Sequence, residues 1–154
     1  MTQISKPQGC TNFKLRQLGR VVSRHYDAHV AASGLKTSQY SLLSHVINLG
    51  PLRPVDLARA MSVDASTLTR NLKPLVAAGW LVQGEGADAR SRLIAVTEAG
   101  IAKRKEAQVH WREAQLGLNK ILGVERVSAL HQLIDESLAL LGSDEPAAQA
   151  EHVA

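Results

Sequence analysis

Between Asp64 and Gly79 the chain reads DASTLTRNLKPLVAAG, and six of these side chains can exchange hydrogen bonds with a partner: Ser66, Thr67, Thr69, Arg70, Asn71 and Lys73. On a helix advancing about 100° per residue, Leu68, Leu72 and Leu75 share one face, with Val76 at its edge. Arg70 projects almost opposite. Ser66, Thr67 and Lys73 flank it, and Thr69 and Asn71 sit on the shoulders, with no acid among them. Such a face fits the major groove of B-DNA, where Arg grips a guanine edge and Asn an adenine edge. Ser and Thr hydroxyls suit phosphate oxygens. Asp64 reads as the N-cap of this helix. Pro74 removes one backbone hydrogen bond and is expected to kink the last turn. On an isolated helix a polar face is ordinarily just solvated, so the surrounding elements decide its meaning.

A second cluster is Asp88, Arg90 and Arg92, in the turn-rich run GEGADARS and just after it. Arginine at a hairpin tip suits a narrow minor groove. Asp88 would be repelled by phosphate unless it paired with an arginine and held it extended. Cys10 is the single thiol. It lies just before a helix and near Lys6 and Lys14, a setting that favours thiolate. His25 and His29 stand four apart and share a helix face. Two ligands are weak grounds for a metal, and no metal or cofactor is expected.

Stepping outward, residues 1–11 form an arm containing Pro7 and Gly9. From Asn12, Phe13, Leu18, Val21, Val22, Tyr26 and Val30 recur at helical spacing up to the stop at Ser33-Gly34. Thr37 or Ser38 is expected to cap a helix over 39–48, which ends at Gly50-Pro51. Pro54 opens a short helix to Met61. After a tight turn, Asp64 starts the helix with the polar face, and Gly79 ends it. Residues 80–83 and 92–96 read as strands of a hairpin with a long polar tip. Thr97 caps a helix over 98–122, with Ala107, Trp111, Ala114, Leu118, Ile121 and Leu122 as its stripe. A last helix over 124–141 carries Val127, Leu130, Leu133, Ile134, Leu138 and Leu141. Residues 143–154 read as a frayed tail.

These elements predict a mainly α chain with a small β-hairpin wing. Residues 37–97 make a winged helix-turn-helix lobe, and residues 12–36 and 98–142 supply long helices from both chain ends. The helix over 98–122 spans about 36 Å, more than a unit of this size covers alone. Its stripe is expected to bury against a second copy in a homodimer. An antiparallel helix pair packed within one protomer is the rival arrangement.

Composition narrows the function. The 154 residues carry 18 Lys and Arg against 14 Asp and Glu. Residues 1–50 hold six basic side chains and only Asp27, whereas residues 101–154 hold six basic and eight acidic. A basic front portion suits a polyanion. No apolar run approaches the roughly 18 residues that cross a bilayer, and the N-terminus lacks a secretory stretch, so a cytoplasmic protein without a membrane partner is expected. There is no P-loop, no G-x-S-x-G and no H-E-x-x-H, so no enzyme is expected. A thiol enzyme using Cys10 and a protein-interaction module without specific DNA binding are the alternatives from other classes.

The order of helices, the run VDLARAM and STLTRNLKPLVAAGWL, and Asp88-x-Arg90 followed by Val96-Thr97-Glu98-Ala99-Gly100 together resemble the MarR family of winged-helix transcriptional regulators. The resemblance covers about residues 12–141. Val96 stands where many members have Leu. The resemblance implies a dimer formed by the first and last two helices, binding a pseudo-palindromic operator in double-stranded DNA, most simply as a repressor. It also implies release by a small aromatic or phenolic effector where the first, second and long helices meet. Arg20, Tyr26, Tyr40, His45 and Trp111 are the residues expected to line that crevice. Some members sense organic peroxides through a cysteine near the first helix, which makes Cys10 the redox candidate.

Overall fold

A computed structural model describes residues 6–85, 88 and 92–142. Six α-helices and one short hairpin follow in order: α1 (Thr11–Val30), a 3-10 turn (Ala31–Ser33), α2 (Thr37–Leu49), α3 (Pro54–Ala60), α4 (Ala65–Ala77), β1 (Leu81–Gln83), β2 (Ile94–Val96), α5 (Glu98–Leu122) and α6 (Val124–Leu141). The chain is therefore mainly α, with a winged helix-turn-helix at its centre. The expected tail at 143–154 and the tip residue Arg90 lie outside the described residues.

The helix boundaries follow local chemistry. Asp64 caps α4 by accepting the Thr67 N–H at 2.6 Å. Thr97 caps α5 by accepting the Gly100 N–H at 3.0 Å. Pro74 lies inside α4 without ending it, and the Ala78 N–H bonds the Pro74 carbonyl. The start of α2 differs from expectation. Neither Thr37 nor Ser38 caps it; the helix begins at Thr37 with Lys36 at the N-cap position. The Lys36 N–H donates to Gln39 Oε1 at 2.9 Å. The Thr37 N–H donates to Asp27 Oδ1 of α1 at 2.7 Å. A side chain distant in sequence thus satisfies an orphan donor that local reading assigns to a neighbour.

The hairpin is antiparallel, pairing Leu81 with Val96, Val82 with Ala95 and Gln83 with Ile94. Leu52 adds a bridge to Ile94, with N–H to carbonyl distances of 3.1 and 2.8 Å. The lobe core gathers Leu35, Leu42, Leu43, Val46, Leu57, Leu68, Leu72, Leu75, Leu81 and Ile94, all buried. Each apolar face read from periodicity in α4 points into it. Between α3 and α4 the chain turns through Ser62, whose φ of 53° is the left-handed conformation.

Outside the lobe, α1 lies along α5. The approach is close because α5 presents small residues: Ala107 and Ala114 are fully buried, and Gly117 faces the His25 ring. The apolar stripes of the end helices are only partly covered within one chain: Trp111, Leu118, Leu122 and Leu130 are half-buried. Ile121 is 71% exposed, Leu138 57% and Leu141 84%. Val127 is the one buried residue of α6, whose main neighbour among the described residues is α5.

Candidate nucleic-acid interface

The outward face of α4 is built by what lies beneath it. Leu68, Leu72 and Leu75 are buried, and so Ser66, Thr69, Arg70, Asn71 and Lys73 are held exposed, with Thr67 half-buried. Three of the hydroxyls are already engaged. Ser66 Oγ donates to Asp64 Oδ1 at 2.8 Å. Thr69 Oγ1 donates to the Ala65 carbonyl at 2.9 Å. Thr67 Oγ1 accepts from Arg70 Nη2 at 3.5 Å. In the free protein these hydroxyls are spent on their own helix, and each must turn away from it to donate elsewhere. Outward donation falls to Arg70, Asn71 and Lys73. The Asp64 carboxyl is held below the usual carboxylate range, first by the Thr67 N–H and then by the Ser66 hydroxyl.

At the base of the wing, Arg92 Nε donates to the Asp88 carbonyl at 3.4 Å. The expected Asp88–Arg90 pairing lies outside the described residues. Sequence reasoning misses a third cationic group. At α3, Arg53 grips Asp56 with both Nε (2.7 Å) and Nη2 (3.0 Å). Arg59 Nη1 lies 3.7 Å from the same carboxylate. The Arg53 guanidinium holds the Asp56 carboxyl below its usual range. Two successive i,i+3 spacings, Arg53 to Asp56 to Arg59, are the signal that marks this cluster.

The structure divides the expected ligand residues. Tyr26, Tyr40 and Trp111 surround a cavity of about 240 Å³ that Val22, Ser23, Thr37 and Ser41 complete. Tyr40 and Trp111 stack at 6.1 Å with 19° between their planes. Arg20 does not line this cavity. It lies on a shallow groove along α1 with Arg16, Gly19, Ser23, Arg24 and Asp27, because its helical angle carries it to the solvent side. His45 also misses the cavity, and its Nδ1 bonds the Ser41 carbonyl at 2.7 Å. Cys10 is exposed at the N-cap position of α1. His25 and His29 do share a face, but His25 Nε2 is taken by the Ala114 carbonyl at 2.8 Å and His29 Nδ1 by the His25 carbonyl at 3.0 Å. Among the described residues no group of three metal-ligating side chains forms, and no helix is long and apolar enough to cross a membrane.

A short helix, a tight turn, a helix with exposed donors, then a hairpin running into a long helix define a winged-helix transcriptional regulator. Comparison with known proteins agrees. The MarR family model matches residues 33–91. The M. tuberculosis transcriptional regulator MosR, solved in complex with DNA, is 32% identical with a TM-score of 0.68, covering 84% of this chain and 98% of that one. An E. coli MarR mutant complexed with operator DNA shares the fold, with a TM-score of 0.72 at 24% identity over 82% of this chain and 92% of that one. The uncharacterized HTH-type transcriptional regulator YwoH of Bacillus subtilis (strain 168) is 28% identical over 96 residues, 62% of this chain and 70% of that one. The chain belongs to the MarR family of transcriptional regulators.

Proposed function

We propose that this protein is a homodimeric repressor that binds a pseudo-palindromic operator and is released from it by a small aromatic effector. The observation that carries the DNA reading is the outward face of α4, whose exposed Arg70, Asn71 and Lys73 stand back to back with the buried Leu68, Leu72 and Leu75. In this reading Arg70 and Asn71 read base edges. Lys73 and the Ser66, Thr67 and Thr69 hydroxyls contact phosphate. Asp88, Arg90 and Arg92 direct the wing toward the minor groove.

Dimerisation is supported by the uncovered apolar residues of the end helices. Phe13 and Leu15 on α1, Leu116 and Ile121 on α5, and Leu133, Leu138 and Leu141 on α6 are all exposed in one chain. A monomer rarely leaves such a surface open. Residues 12–36 and 98–142 serve as the dimerisation part, and two lobes of residues 37–97 place their α4 helices in successive major grooves roughly 34 Å apart. The protein acts in the cytoplasm. The cavity lined by Tyr26, Tyr40 and Trp111 is the effector site, and its occupant shifts the dimer between states competent and incompetent for DNA.

Fluorescence anisotropy on the region upstream of the protein's own coding sequence tests the DNA reading. Specific binding exceeds that to random duplex by about 10³-fold or more at physiological salt and falls steeply as salt rises. Equal affinity for the two duplexes would refute a sequence-specific regulator and favour an interaction module.

A further inference from the structure

Arg53, just before α3, and Asp56 and Arg59 on it form one charged cluster on the outside of the lobe. The Asp56 carboxylate takes one edge of the Arg53 fork, accepting from Nε at 2.7 Å and Nη2 at 3.0 Å. Its Oδ1 also lies 3.7 Å from Arg59 Nη1. The other end of the Arg53 fork, Nη1, bonds nothing among the described residues, and the side chain is 49% exposed. Two cations share one anion, so the cluster is positive overall.

Backbone bonds fix where this cluster sits. Arg53 directly follows Leu52, which pairs with Ile94 of β2, the strand that carries on from Arg92 of the wing. Arg59 lies in the last turn of α3, and its carbonyl accepts the Ser62 N–H at 3.1 Å in the turn that leads to Asp64 and α4. The opposite face of α3, Leu57 and Ala58, is buried in the lobe core. The cluster therefore spans the exposed surface between the wing and α4, the two elements read above as groove binders. What separates a major groove from a minor groove is a phosphate strand, and the first helix of a helix-turn-helix crosses it. Arginine suits that strand because its planar fork matches phosphate oxygens. A loose arginine loses rotamer freedom on binding. Arg53 is already held by Asp56 and has less left to lose.

Resting on the DNA reading above, we propose that Arg53 binds the phosphate strand between the α4 and wing grooves, and that Asp56 is its positioning residue. Anisotropy across a salt series, with the full chain on the upstream duplex and on random duplex, tests both roles. Arg53→Gln weakens the two duplexes by the same factor, about tenfold, because phosphate carries no sequence. It also lowers the slope of log affinity against log salt by about one for each protomer. Asp56→Asn removes a negative charge from a DNA-facing surface, which on electrostatics alone would tighten binding. The positioning role gives the opposite sign, a loss of about threefold or more. In the Arg53→Gln background the same Asp56→Asn change no longer weakens binding, since its effect passes through Arg53. Exposed ion pairs add little stability, so both single variants melt within about 4 °C of wild type.

Tighter binding by Asp56→Asn overturns the positioning role. An unchanged salt slope for Arg53→Gln, on a duplex that the wild type binds, overturns the phosphate contact and leaves the DNA reading standing; a larger fall in melting temperature with that unchanged slope makes the cluster a structural clasp for α3. Wild-type protein that binds neither duplex removes the DNA reading and this proposal together.

Discussion

Gly100 is where the wing meets the long helix, and replacing it with alanine probes that junction directly. A Cβ built at this position would lie 2.8 Å from Val96 Cγ2 and 3.0 Å from the Trp80 carbonyl carbon, with the Trp80 oxygen nearer still. Real Cβ atoms do not approach that closely. The Trp80 carbonyl cannot swing aside, because it accepts the Thr97 N–H at 3.1 Å and lies 3.1 Å from Thr97 Oγ1. On helix propensity alone, Gly100→Ala would stabilise by roughly 1 kcal/mol. Overpacking against fixed backbone costs roughly 1–3 kcal/mol and occasionally more; two short contacts to main chain put this site at the upper end. A net loss of about 2 kcal/mol lowers the melting temperature of a domain this size by roughly 4–8 °C. Thr97→Val serves as a comparison, since it leaves the packing but removes the α5 cap, at about 1 kcal/mol, together with the Thr97 hydroxyl's bond to the Gly79 carbonyl. Both are measured by thermal unfolding at one fixed protomer concentration, because a dimer's midpoint depends on it. A melting temperature for Gly100→Ala equal to or above wild type would refute the close approach of α5 to Trp80.

Three further outcomes are expected. Arg70→Ala lowers operator affinity by about 1–3 kcal/mol and relaxes preference at one base pair, whereas Lys73→Ala weakens all duplexes alike and reduces the salt slope by about one; anisotropy across a salt series separates the two, and identical effects would show the contact assignment to be wrong. Leu138→Arg places a charge on the exposed apolar face of α6 and converts the dimer to monomer in sedimentation analysis; an unchanged dimer would locate the interface elsewhere. The Asp64 carboxyl is held below its usual range by the Thr67 N–H and the Ser66 hydroxyl, so its stabilising effect is complete above the unfolded carboxylate pKa of about 4 and is lost as pH falls through the folded value. Asp64→Asn still caps the helix but removes that part of the acid slope, which urea titrations between pH 2 and pH 6 detect.

Much of the architecture is legible because its causes are local. Asp64, Gly79, Thr97 and Gly123 each mark a helix boundary through their own backbone or side-chain chemistry, and α5 and α6 run over the expected residues. The Leu68, Leu72 and Leu75 face is likewise set by period alone. What sequence misses is tertiary. The Asp27 carboxylate that holds the start of α2 comes from another helix, ten residues away. Gly100 reads only as part of a cap motif until the Trp80 carbonyl is seen against it. Arg20, expected in the crevice, lies on the solvent side of α1, and Thr37 and Ser41 line the cavity that Arg20 and His45 miss. Hydroxyl bonding on α4 also eludes composition, since Thr and Ser donate either to a ligand or to their own helix, and only geometry says which.

Thr37 joins the two halves of the proposed mechanism. Its N–H ties the lobe to α1 through Asp27, and its hydroxyl is buried beside the cavity without a protein partner. The first turn of α2 therefore both attaches the lobe to α1 and lines the cavity. On the other side the lobe is held to α5 by the Thr97 hydroxyl on the Gly79 carbonyl at 2.6 Å and by Lys103 over the Trp80 ring at 5.4 Å. Moving a dimer from about nine-tenths competent to one-tenth requires roughly 80-fold tighter binding to the incompetent state, or about 2.6 kcal/mol. Net hydrogen bonds of about 0.5–1.5 kcal/mol each, a few of them made in both cavities of a dimer, reach that total only if they are unequal in the two states.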